Sequence, residues 1–292
     1  MTMRTTVQAP AKINLFLDIV GKRSDGYHLV NMVMQSVSLF DDVTLTVNDG
    51  DGNIHISCTD ENIPCDETNT AYKAVKYFFE YADMPLKDVS VKIKKRIPSQ
   101  AGMAGGSTDA AAVLVGLNDM LKTGFSNDEL AETAERIGAD VPFCIYGGTM
   151  TANGIGTILT PLPAMPECYI VAVKPDIQIS TKEAYKKSDE AGYEQCRNIE
   201  PMTDAICNGN VKAIGKALYN KFEEVVEVPE IDIIKSCMRE FNADGALMTG
   251  SGSVIFGIFE DKLDANDCAD ELERDFRNVW LVEPFSEGQV IK

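Results

Sequence analysis

The sequence is short of the residues that build metal clusters and disulfide frameworks. Its 292 residues include two histidines, and no two of its eight cysteines form a C-x-x-C pair. In a chain of this length, scattered cysteines are typical of reduced, mostly structural thiols in a cytosolic protein, and they indicate no metal cluster. We therefore expect a cytoplasmic protein. The cysteines stand at positions 58, 65, 144, 168, 196, 207, 237 and 268.

Long apolar runs are also missing. No uninterrupted apolar segment reaches roughly the 18 residues that predict a membrane-spanning helix. The apolar run near the N-terminus, residues 13–20, is broken by Asn14 and Asp18, so it lacks the pattern of a secretory signal. The sequence predicts neither a membrane span nor a signal peptide.

Basic residues are outnumbered by acidic ones, 27 to 45, and the formal net charge is −18. This charge argues against a nucleic acid or an anionic membrane as partner, because a phosphate backbone requires a surface of Lys and Arg. A polyanionic ligand would need a local positive site in a negative protein. The nearest candidates for such a site are Lys12, Lys22, Arg23, Lys94, Lys95 and Arg96.

The remaining composition, 45% apolar and 25% charged residues, is that of a globular protein with one large or two medium domains. The prolines at 161, 163 and 166 are the best candidate for a boundary, which divides the chain into residues 1–163 and 164–292. The strand–helix–strand order after residue 165 predicts a ferredoxin-like α+β half.

Periodicity predicts most of the secondary structure. Ser126 with Glu129 forms a capping box that opens a helix, and residues 49–52, Asp-Gly-Asp-Gly, predict a hairpin tip. The glycines at 147–148 and 154–156 punctuate a further pair of strands. The predicted strands are residues 13–20, 29–39, 43–47, 89–93, 169–173, 246–248, 254–259 and 279–282, and the predicted helices are 70–81, 110–121, 126–137 and 261–276.

The most informative stretch is the glycine-rich segment of residues 98–112, which reads Pro-Ser-Gln-Ala-Gly-Met-Ala-Gly-Gly-Ser-Thr-Asp-Ala-Ala-Ala. A strand precedes it and a helix follows it. Accessible backbone N–H groups and the positive end of a helix dipole together suit a phosphate. The segment has neither the lysine of a P-loop nor the spacing of the dinucleotide fingerprint. A flexible glycine-rich turn is the alternative interpretation.

Four other segments join this one in carrying a resemblance. They read Pro-Ala-Lys-Ile-Asn-Leu at 10–15, Gly-Lys-Arg-Ser-Asp-Gly-Tyr-His at 21–28, Gly-Ala-Asp-Val-Pro-Phe at 138–143 and Gly-Ser-Gly at 250–252. With them the chain resembles the GHMP small-molecule kinases from about residue 6 to its C-terminus. Within that superfamily it is similar to the members of the non-mevalonate isoprenoid pathway whose alcohol substrate carries a cytidine diphosphate.

The resemblance implies a GHMP-kinase fold of class α+β, with a strand-rich N-terminal nucleotide and substrate half and a ferredoxin-like C-terminal half. It implies that ATP, carrying Mg²⁺, phosphorylates the 2-hydroxyl of the methylerythritol moiety of the cytidine diphosphate substrate. Ala104 departs from the family, which more often has glycine there. The ATP loop that the resemblance implies consists of Pro98, Ser99, Gln100, Ala101, Gly102, Met103, Ala104, Gly105, Gly106, Ser107 and Thr108.

Asp140 matches the family's catalytic aspartate, which implies that it accepts the proton of the alcohol as the new bond forms. An aspartate that ends a helix and caps a turn is the other interpretation. Lys12 lies on an apolar strand, so its ammonium either reaches water or points into a site, where it would keep Asp140 ionised. Asn14 projects to the same face as Lys12 and shares either the pocket wall or the solvent.

The resemblance also implies that Tyr27 and His28 hold the cytosine, by stacking and by hydrogen bonds to its edge. Ordinary packing is the alternative for an aromatic pair after a turn. Tyr185 is a second aromatic candidate against the base, although a tyrosine near a helix start is usually core. Thr181 is a further candidate contact to the substrate.

Two hydroxyl groups and one loop have equally open roles. Ser107 and Thr108 could bind phosphate or Mg²⁺, or they could cap the helix. Residues 250–253, Gly-Ser-Gly-Ser, either pack against the nucleotide loop or the substrate, or form a plain hairpin turn.

Two rival functions follow from the same residues. One is another GHMP kinase, of the homoserine or mevalonate type, against which Tyr27 and His28 argue because those alcohols carry no base. The other is a catalytically silent nucleotide-binding relative, against which the presence of both Lys12 and Asp140 argues.

Overall fold

A computed structural model of the chain describes residues 2–193 and 196–292 and shows an α+β fold with two β-sheets. The strands are β1 (Met3–Lys22), β2 (His28–Asn48), β3 (Ile54–Cys58), β4 (Asp88–Lys94), β5 (Thr149–Gly154), β6 (Ile158–Pro161), β7 (Tyr169–Val173), β8 (Tyr219–Asn220), β9 (Gly245–Met248), β10 (Ile255–Phe259), β11 (Val279–Val282) and β12 (Val290–Ile291). The helices are α1 (Thr70–Tyr81), α2 (Gly105–Leu121), α3 (Asn127–Glu135), α4 (Val141–Tyr146), α5 (Thr181–Ala191), α6 (Glu200–Cys207), α7 (Val211–Ala217), α8 (Pro229–Glu240) and α9 (Lys262–Leu272), with a 3₁₀ turn at Lys221–Glu224.

The first sheet is built around one long hairpin, in which β1 and β2 pair antiparallel over 20 and 21 residues. The sheet order is β12-β1-β2-β4-β3. In addition, β5 pairs with β2, β6 pairs with β5, and β8 pairs with β1. Two register shifts in β1, after Pro10 and after Asn14, bracket residues 11–14. Bulges of this kind bend a strand and redirect its side chains, and here they flank two of the candidate site residues.

Helix α2 packs closely on the hairpin because it carries small residues. Ala110, Ala111 and Ala112 are fully buried. A Cβ at Gly116 would lie 2.4 Å from Cδ1 of Leu45, so β2 can approach the helix only where residue 116 has no side chain. At its other end, α2 follows a loop that β1 holds through a hydrogen bond from Lys12 N to Met103 O at 3.2 Å. This packing places the N-terminus of α2 close to the middle of β1.

The second sheet has the order β11-β7-β10-β9 and is antiparallel throughout. Its strands and helices follow the βαββαβ order of a ferredoxin-like unit, as predicted. Helices α8 and α9 pack on one face, and α6 and α7 lie on the other side. Ile13 and Leu15 of β1 belong to the same buried cluster as Ile170 and Phe256, so the core is continuous from one sheet to the other.

Most predicted elements are present, and the differences have local causes. Helix α1, at residues 70–81, is as predicted. The capping box of Ser126 and Glu129 is also present, although the helix that it opens, α3, ends at residue 135 rather than 137. Helix α2 begins five residues earlier than predicted, at Gly105. The two strands predicted between residues 29 and 47 are one continuous strand, β2.

The predicted hairpin tip at residues 49–52 is wrong. The strand that follows, β3, pairs parallel with β4 instead of returning along β2. The carboxylate of Asp88 accepts hydrogen bonds from Gly52 N at 3.1 Å and Asn53 N at 2.8 Å, and this contact directs the chain past β4. A turn motif cannot reveal which strand the chain will pair with afterwards.

The division at residue 163 stays a prediction. Two short strands from the second part of the chain, β8 and β12, pair with β1 of the first sheet. In the described residues, no helix is both long enough and apolar enough to cross a membrane.

Candidate active site

A cleft with a cavity volume of about 350 Å³ lies among β1, the N-terminus of α2, α5 and the loop from β9 to β10. It brings together residues that are far apart in the sequence. The predicted site residues that line it are Lys12, Asn14, Gln100, Ala101, Gly102, Ala104, Gly105, Gly106, Ser107, Asp140, Thr181 and Tyr185. Leu17, Thr70, Phe222, Gly250 and Ser251 complete the lining.

One wall of the cleft is an uncapped helix N-terminus. Helix α2 has 17 residues, and its N-cap residue, Ala104, makes no side-chain capping hydrogen bond. The first N–H groups of a helix have no intrahelical acceptor, and those of Gly105, Gly106 and Ser107 stand beside the cavity. Unpaired N–H groups and the positive end of a long helix dipole form a site for a phosphate group.

The loop before α2 reaches this position through left-handed backbone conformations. Gly102 has φ 78°, and a Cβ there would lie 2.0 Å from the carbonyl oxygen of Thr249. Only glycine fits such a position. Gln100 and Ala104 also have positive φ, of 51° and 57°. The loop is therefore a strained, specifically shaped segment, and the interpretation as a flexible turn does not describe it.

Opposite the loop, β1 presents a charged group. Nζ of Lys12 donates to Oδ1 of Asn14 at 2.6 Å and lies 3.7 Å from Oδ2 of Asp140. Lys12 and Asn14 are buried, whereas the carboxylate of Asp140 is 35% exposed. Asp140 precedes α4 but makes no capping hydrogen bond to it. The carboxylate is thus not used as a cap and faces the cleft beside an ammonium group.

The far end of the cleft is aromatic. The ring of Tyr185, on α5, packs edge-on against Phe222 with the ring centres 4.9 Å apart, and both residues line the cavity. Burial, with a smaller contribution from the charge of Asp140, raises the pKa of Tyr185 to about 12. Its hydroxyl therefore stays neutral and can both donate and accept hydrogen bonds.

His28 stands behind this aromatic wall. Its ring stacks on Tyr185 at 4.3 Å, and its Nε2 lies 2.6 Å from Oδ1 of Asp189. Hydrogen bonds from Lys22, Tyr193 and His28 hold the pKa of Asp189 well below its ordinary value. Asp189 is therefore a permanent carboxylate that fixes the imidazole ring and leaves Nδ1 for another partner.

Tyr27 and Thr181 lie at the rim. The side chain of Tyr27 is 60% exposed on the turn between β1 and β2, and it does not contribute to the lining of the cavity in the described part of the chain. Oγ1 of Thr181 is 2.7 Å from Oγ of Ser251, which joins the start of α5 to the loop after β9.

Comparisons with known proteins identify the family of the chain. Residues 69–148 match the family of GHMP kinases N terminal domains, and residues 202–278 match GHMP kinases C terminal. A Clostridium tetani protein named 4-diphosphocytidyl-2-C-methyl-D-erythritol kinase is 43% identical over 277 residues, which cover 94% of this chain and 98% of that protein. The chain belongs to the GHMP kinase family. It is a small-molecule kinase that uses ATP.

Solved structures show the same GHMP kinase fold. The crystal structure of 4-(cytidine 5'-diphospho)-2C-methyl-D-erythritol kinase matches with a TM-score of 0.78 at 30% identity, covering 97% of this chain and 99% of that chain. A homoserine kinase from Cytophaga hutchinsonii matches with a TM-score of 0.79 at 19% identity, covering 99% of this chain and 97% of that chain. The second likeness shows the fold alone. The predicted family and fold class are confirmed.

The kinase uses few of the basic candidates at its cleft. Of the six, Lys12 lines the cavity. Surface ion pairs engage Lys22 with Asp189, Arg23 with Asp25 and Arg96 with Asp42. Lys94 is exposed at the end of β4. Among the described residues, these six candidates therefore do not form a broad positive island around the cleft, and the backbone N–H groups at the start of α2 are the alternative donors to an anion.

Lys95 is buried beneath the glycine loop of the kinase. Its Nζ lies 2.5 Å from Oδ2 of Asp41 and 2.8 Å from Oδ2 of Asp109, and all three side chains are nearly inaccessible. A Cβ at Gly105 would lie 3.1 Å from the same Nζ. This group supports the loop from below. The sequence contained a signal, because Lys95 continues the alternation of residues 89, 91 and 93, which face inward.

The two hydroxyl candidates have different surroundings. Ser107 lines the cleft, whereas Thr108 is fully buried and its Oγ1 accepts a hydrogen bond from Nε2 of Gln289 at 2.9 Å. Neither residue caps α2, because the N-cap is Ala104. Met103 of the same segment is also buried.

The loop of residues 250–253 combines the hairpin turn and the loop packing that the sequence left as alternatives. It connects the antiparallel strands β9 and β10, and it packs against the glycine-rich segment. A Cβ at Gly250 would lie 3.0 Å from the Cα of Gly102. Sequence reasoning did not single out the residue before this turn, Thr249, which is fully buried between the two walls of the cleft.

Proposed function

We propose that this kinase transfers the γ-phosphoryl group of ATP to the 2-hydroxyl of 4-diphosphocytidyl-2-C-methyl-D-erythritol, in non-mevalonate isoprenoid synthesis. The observation that carries the proposal is the group of Lys12, Asn14 and Asp140, which faces the uncapped N-terminus of α2 across one cleft. The names of relatives at 43% identity support the choice of alcohol.

Asp140 would act as the base. As the alcohol oxygen bonds to the γ-phosphorus and the bond to the ADP oxygen breaks, the hydroxyl proton passes to the carboxylate of Asp140. Lys12, 3.7 Å from that carboxylate, offsets the negative charge that develops on the alcohol oxygen. Asn14 holds the ammonium in place through its 2.6 Å hydrogen bond.

The nucleotide would be held mainly by backbone. The N–H groups of Gly105, Gly106 and Ser107 face the position of the triphosphate, and the dipole of α2 favours its charge. Mg²⁺ usually takes one or two protein oxygen ligands besides phosphates and waters, and Ser107 Oγ is available in the lining of the cleft. There the ion would neutralise charge on the phosphate oxygens. Across the described ranges, no group of three or more His, Cys, Asp and Glu side chains could hold a metal ion.

The cytosine would lie at the aromatic end. Tyr185 provides a half-buried ring, His28 a fixed imidazole with Nδ1 unpaired by Asp189, and Tyr27 a ring on an exposed turn. These rings would distinguish a cytidine-bearing alcohol from homoserine or mevalonate.

A cytoplasmic location is also proposed, since all eight cysteines are free thiols, which suits a reducing compartment.

The test measures steady-state rates with 4-diphosphocytidyl-2-C-methyl-D-erythritol, homoserine and mevalonate as alcohols. Only the first should be phosphorylated efficiently. In Tyr27→Ala, kcat/KM for that substrate should fall roughly ten-fold to a hundred-fold, because base–aromatic stacking is worth about 1–3 kcal/mol. The KM for ATP should change by less than about three-fold.

The matched control is Tyr77→Ala, which removes a tyrosine of α1 that packs against Arg136 outside the cleft. It should leave both kinetic constants unchanged. Equal losses for ATP and the alcohol in Tyr27→Ala would show that Tyr27 does not bind the base. Full activity on an alcohol without cytidine would overturn the proposed substrate, and no activity on any alcohol would favour a silent relative.

A further inference from the structure

Thr249 lies at the contact between the two walls of the cleft and is fully buried. The backbone N–H of Asn14 donates to its Oγ1 at 2.9 Å, across 235 residues of sequence. The hydroxyl proton has two acceptors within reach, Gly102 O at 3.3 Å and Asn14 Oδ1 at 3.4 Å. One side chain therefore contacts both the nucleotide loop and the strand that carries Lys12.

The backbone of Thr249 contacts the same loop. Gly102 approaches so closely that a Cβ there would lie 2.0 Å from the carbonyl oxygen of Thr249. One residue earlier in the loop, Ala101 O accepts from Val254 N at 3.3 Å, and Thr249 N donates to Val254 O at 2.9 Å. The turn from β9 to β10 thus holds residues 101–102 by several short-range contacts.

Thr249 is itself fixed from behind by Asn220. The Nδ2 group of this buried asparagine donates to Met248 O at 2.6 Å and to Gly250 O at 2.8 Å, the carbonyls on either side of Thr249. The threonine can therefore move little relative to β8 and β9. It provides a rigid reference point for the two walls that it contacts.

A continuous chain of contacts then runs from the nucleotide loop to the proposed base: from Gly102 to Thr249, from Thr249 to Asn14, from Asn14 to Lys12 and from Lys12 to Asp140. We propose that Thr249 is a positioning residue for phosphoryl transfer, whose single hydroxyl keeps the nucleotide loop and the Lys12–Asn14–Asp140 group in register. This inference rests on the proposed function of the cleft.

Loss of the hydroxyl has two separate consequences. The buried N–H of Asn14 loses its acceptor, which is costly enough to displace the strand, and a misplacement of about 1 Å at a reacting centre can lower a rate roughly a hundred-fold. The nucleotide loop loses a hydrogen bond at Gly102. The alcohol step and ATP binding should therefore both weaken, although Thr249 touches neither substrate.

The test compares Thr249→Val, which removes the hydroxyl at nearly constant volume, with Thr249→Ser, which keeps it. In Thr249→Val, kcat with saturating substrates should fall by about ten-fold or more, and the affinity for Mg-ATP, measured by calorimetry without alcohol, should fall several-fold. Thr249→Ser should restore both to within about two-fold. If the valine variant does not fold, Thr249→Ala against Thr249→Ser makes the same comparison.

The matched control is Thr149→Val. Thr149 is also buried, donates to Gln35 Oε1 at 2.6 Å and accepts from Met165 N at 3.2 Å, but it lies outside the cleft. It should lower thermal stability without changing kcat or ATP affinity. The same result for Thr249→Val, stability alone, would overturn the inference, as would failure of the serine variant to restore either constant.

Failure of the proposed function has a different signature. A wild-type kinase that does not phosphorylate the cytidine substrate would contradict the assigned alcohol. The ATP affinities of the three Thr249 variants would still decide whether this hydroxyl holds the nucleotide loop.

Discussion

Two lysines flank the glycine loop, and they are buried to nearly the same degree, with side chains 5% and 6% exposed. Lys12 faces one half-exposed carboxylate at 3.7 Å and a neutral amide at 2.6 Å. Lys95 lies between two inaccessible carboxylates at 2.5 and 2.8 Å. Burial alone therefore does not distinguish Lys12, which we propose to be catalytic, from Lys95, which supports the loop. The two lysines differ in the number of carboxylates around the ammonium and in their distances from it.

The difference determines what each charge can do. The long contact of Lys12 leaves its ammonium able to attract a further anionic oxygen, such as a developing alkoxide. The charge of Lys95 is already engaged by Asp41 and Asp109. Burial, together with the like charge of Asp41, raises the pKa of Asp109 to about 7 in spite of the neighbouring lysine. Burial alone would lower the pKa of Lys95, but the two aspartates more than offset it and raise that pKa.

The largest expected effect concerns Asp140, the partly exposed carboxylate beside Lys12. Asp140→Asn should lower kcat by roughly 10²–10⁴-fold, the usual contribution of proton transfer, because the amide cannot accept the hydroxyl proton. Since Asp140 is partly exposed and caps nothing, the free energy of unfolding should change by less than about 0.5 kcal/mol. Single-turnover kinetics and calorimetric ATP binding make the measurement. A variant with more than half of the wild-type kcat would remove Asp140 from the chemical step.

Changes at Lys95 should instead lower the free energy of unfolding. Lys95→Met leaves Asp41 and Asp109 buried without their cation, and breaking a buried pair in this way costs about 3–5 kcal/mol. Urea unfolding at pH 7 measures the loss. Lys12→Met is the matched variant: it should destabilise far less, because Asp140 can still be hydrated, but it should abolish most activity. If the two variants had the same stability, the contrast between the lysines would be wrong.

The proton on Asp109 offers a finer test. A carboxyl whose pKa is raised on folding binds its proton more tightly in the folded state, so it stabilises the protein below about pH 3.8 and loses that contribution as the pH rises through about 7. Asp109→Asn imitates the protonated form and should remove this slope. The wild-type free energy of unfolding should therefore fall relative to that of the variant between about pH 4 and pH 7. Every ten-fold difference in proton affinity between the folded and unfolded states contributes about 1.4 kcal/mol to this fall.

Denaturant unfolding of both proteins at several pH values provides that difference, in which the effects of titrating groups that do not interact with Asp109 cancel. A constant difference across the range would mean that Asp109 is ionised throughout. A difference that grows in the opposite direction would mean that the ion pair with Lys95, rather than burial, controls its protonation.

Much of the fold could be predicted because it is encoded locally. Alternation in residues 89–93 and the capping box at Ser126 depend on neighbours within a few positions, and the structure contains both. The partner of β3 could not be predicted, because strand pairing is settled by contacts such as those of Asp88 with the backbone of residues 52–53.

The residues of the candidate site also fall into those that local sequence indicates and those that depend on long-range contacts. Lys12, Asp140 and the glycine loop are marked by motifs. For Lys95, the alternation of β4 indicates an inward direction but not the groups that it meets there. Its role depends on Asp41, 54 residues away, and on Asp109. Thr249 depends on Asn14, 235 residues away. Such long-range contacts leave no pattern in a single sequence.

The smallest expected effect concerns Ala104, a position at which the family resemblance leads us to expect glycine more often. Its φ of 57° is left-handed, which costs an L-residue about 1–2 kcal/mol and a glycine almost nothing. Because glycine loses more entropy on folding, by roughly 0.5–1 kcal/mol, Ala104→Gly should stabilise the kinase by about 1 kcal/mol or less. That corresponds to a rise in Tm of about 2 °C, measurable by calorimetry.

The control is Lys122→Gly, at the other end of the same helix, where the C-cap has φ 53° and an exposed side chain. Both variants relieve the same kind of strain on α2, so both should raise Tm by similar amounts. Of the two, only Ala104 lines the cleft, beside the proposed phosphate position. Only Ala104→Gly should therefore alter the KM for ATP, by no more than about three-fold, since the flanking N–H groups remain. A lower Tm in Ala104→Gly with a higher one in Lys122→Gly would show that the Cβ of Ala104, packed at the edge of the core, stabilises the loop more than its backbone strain costs.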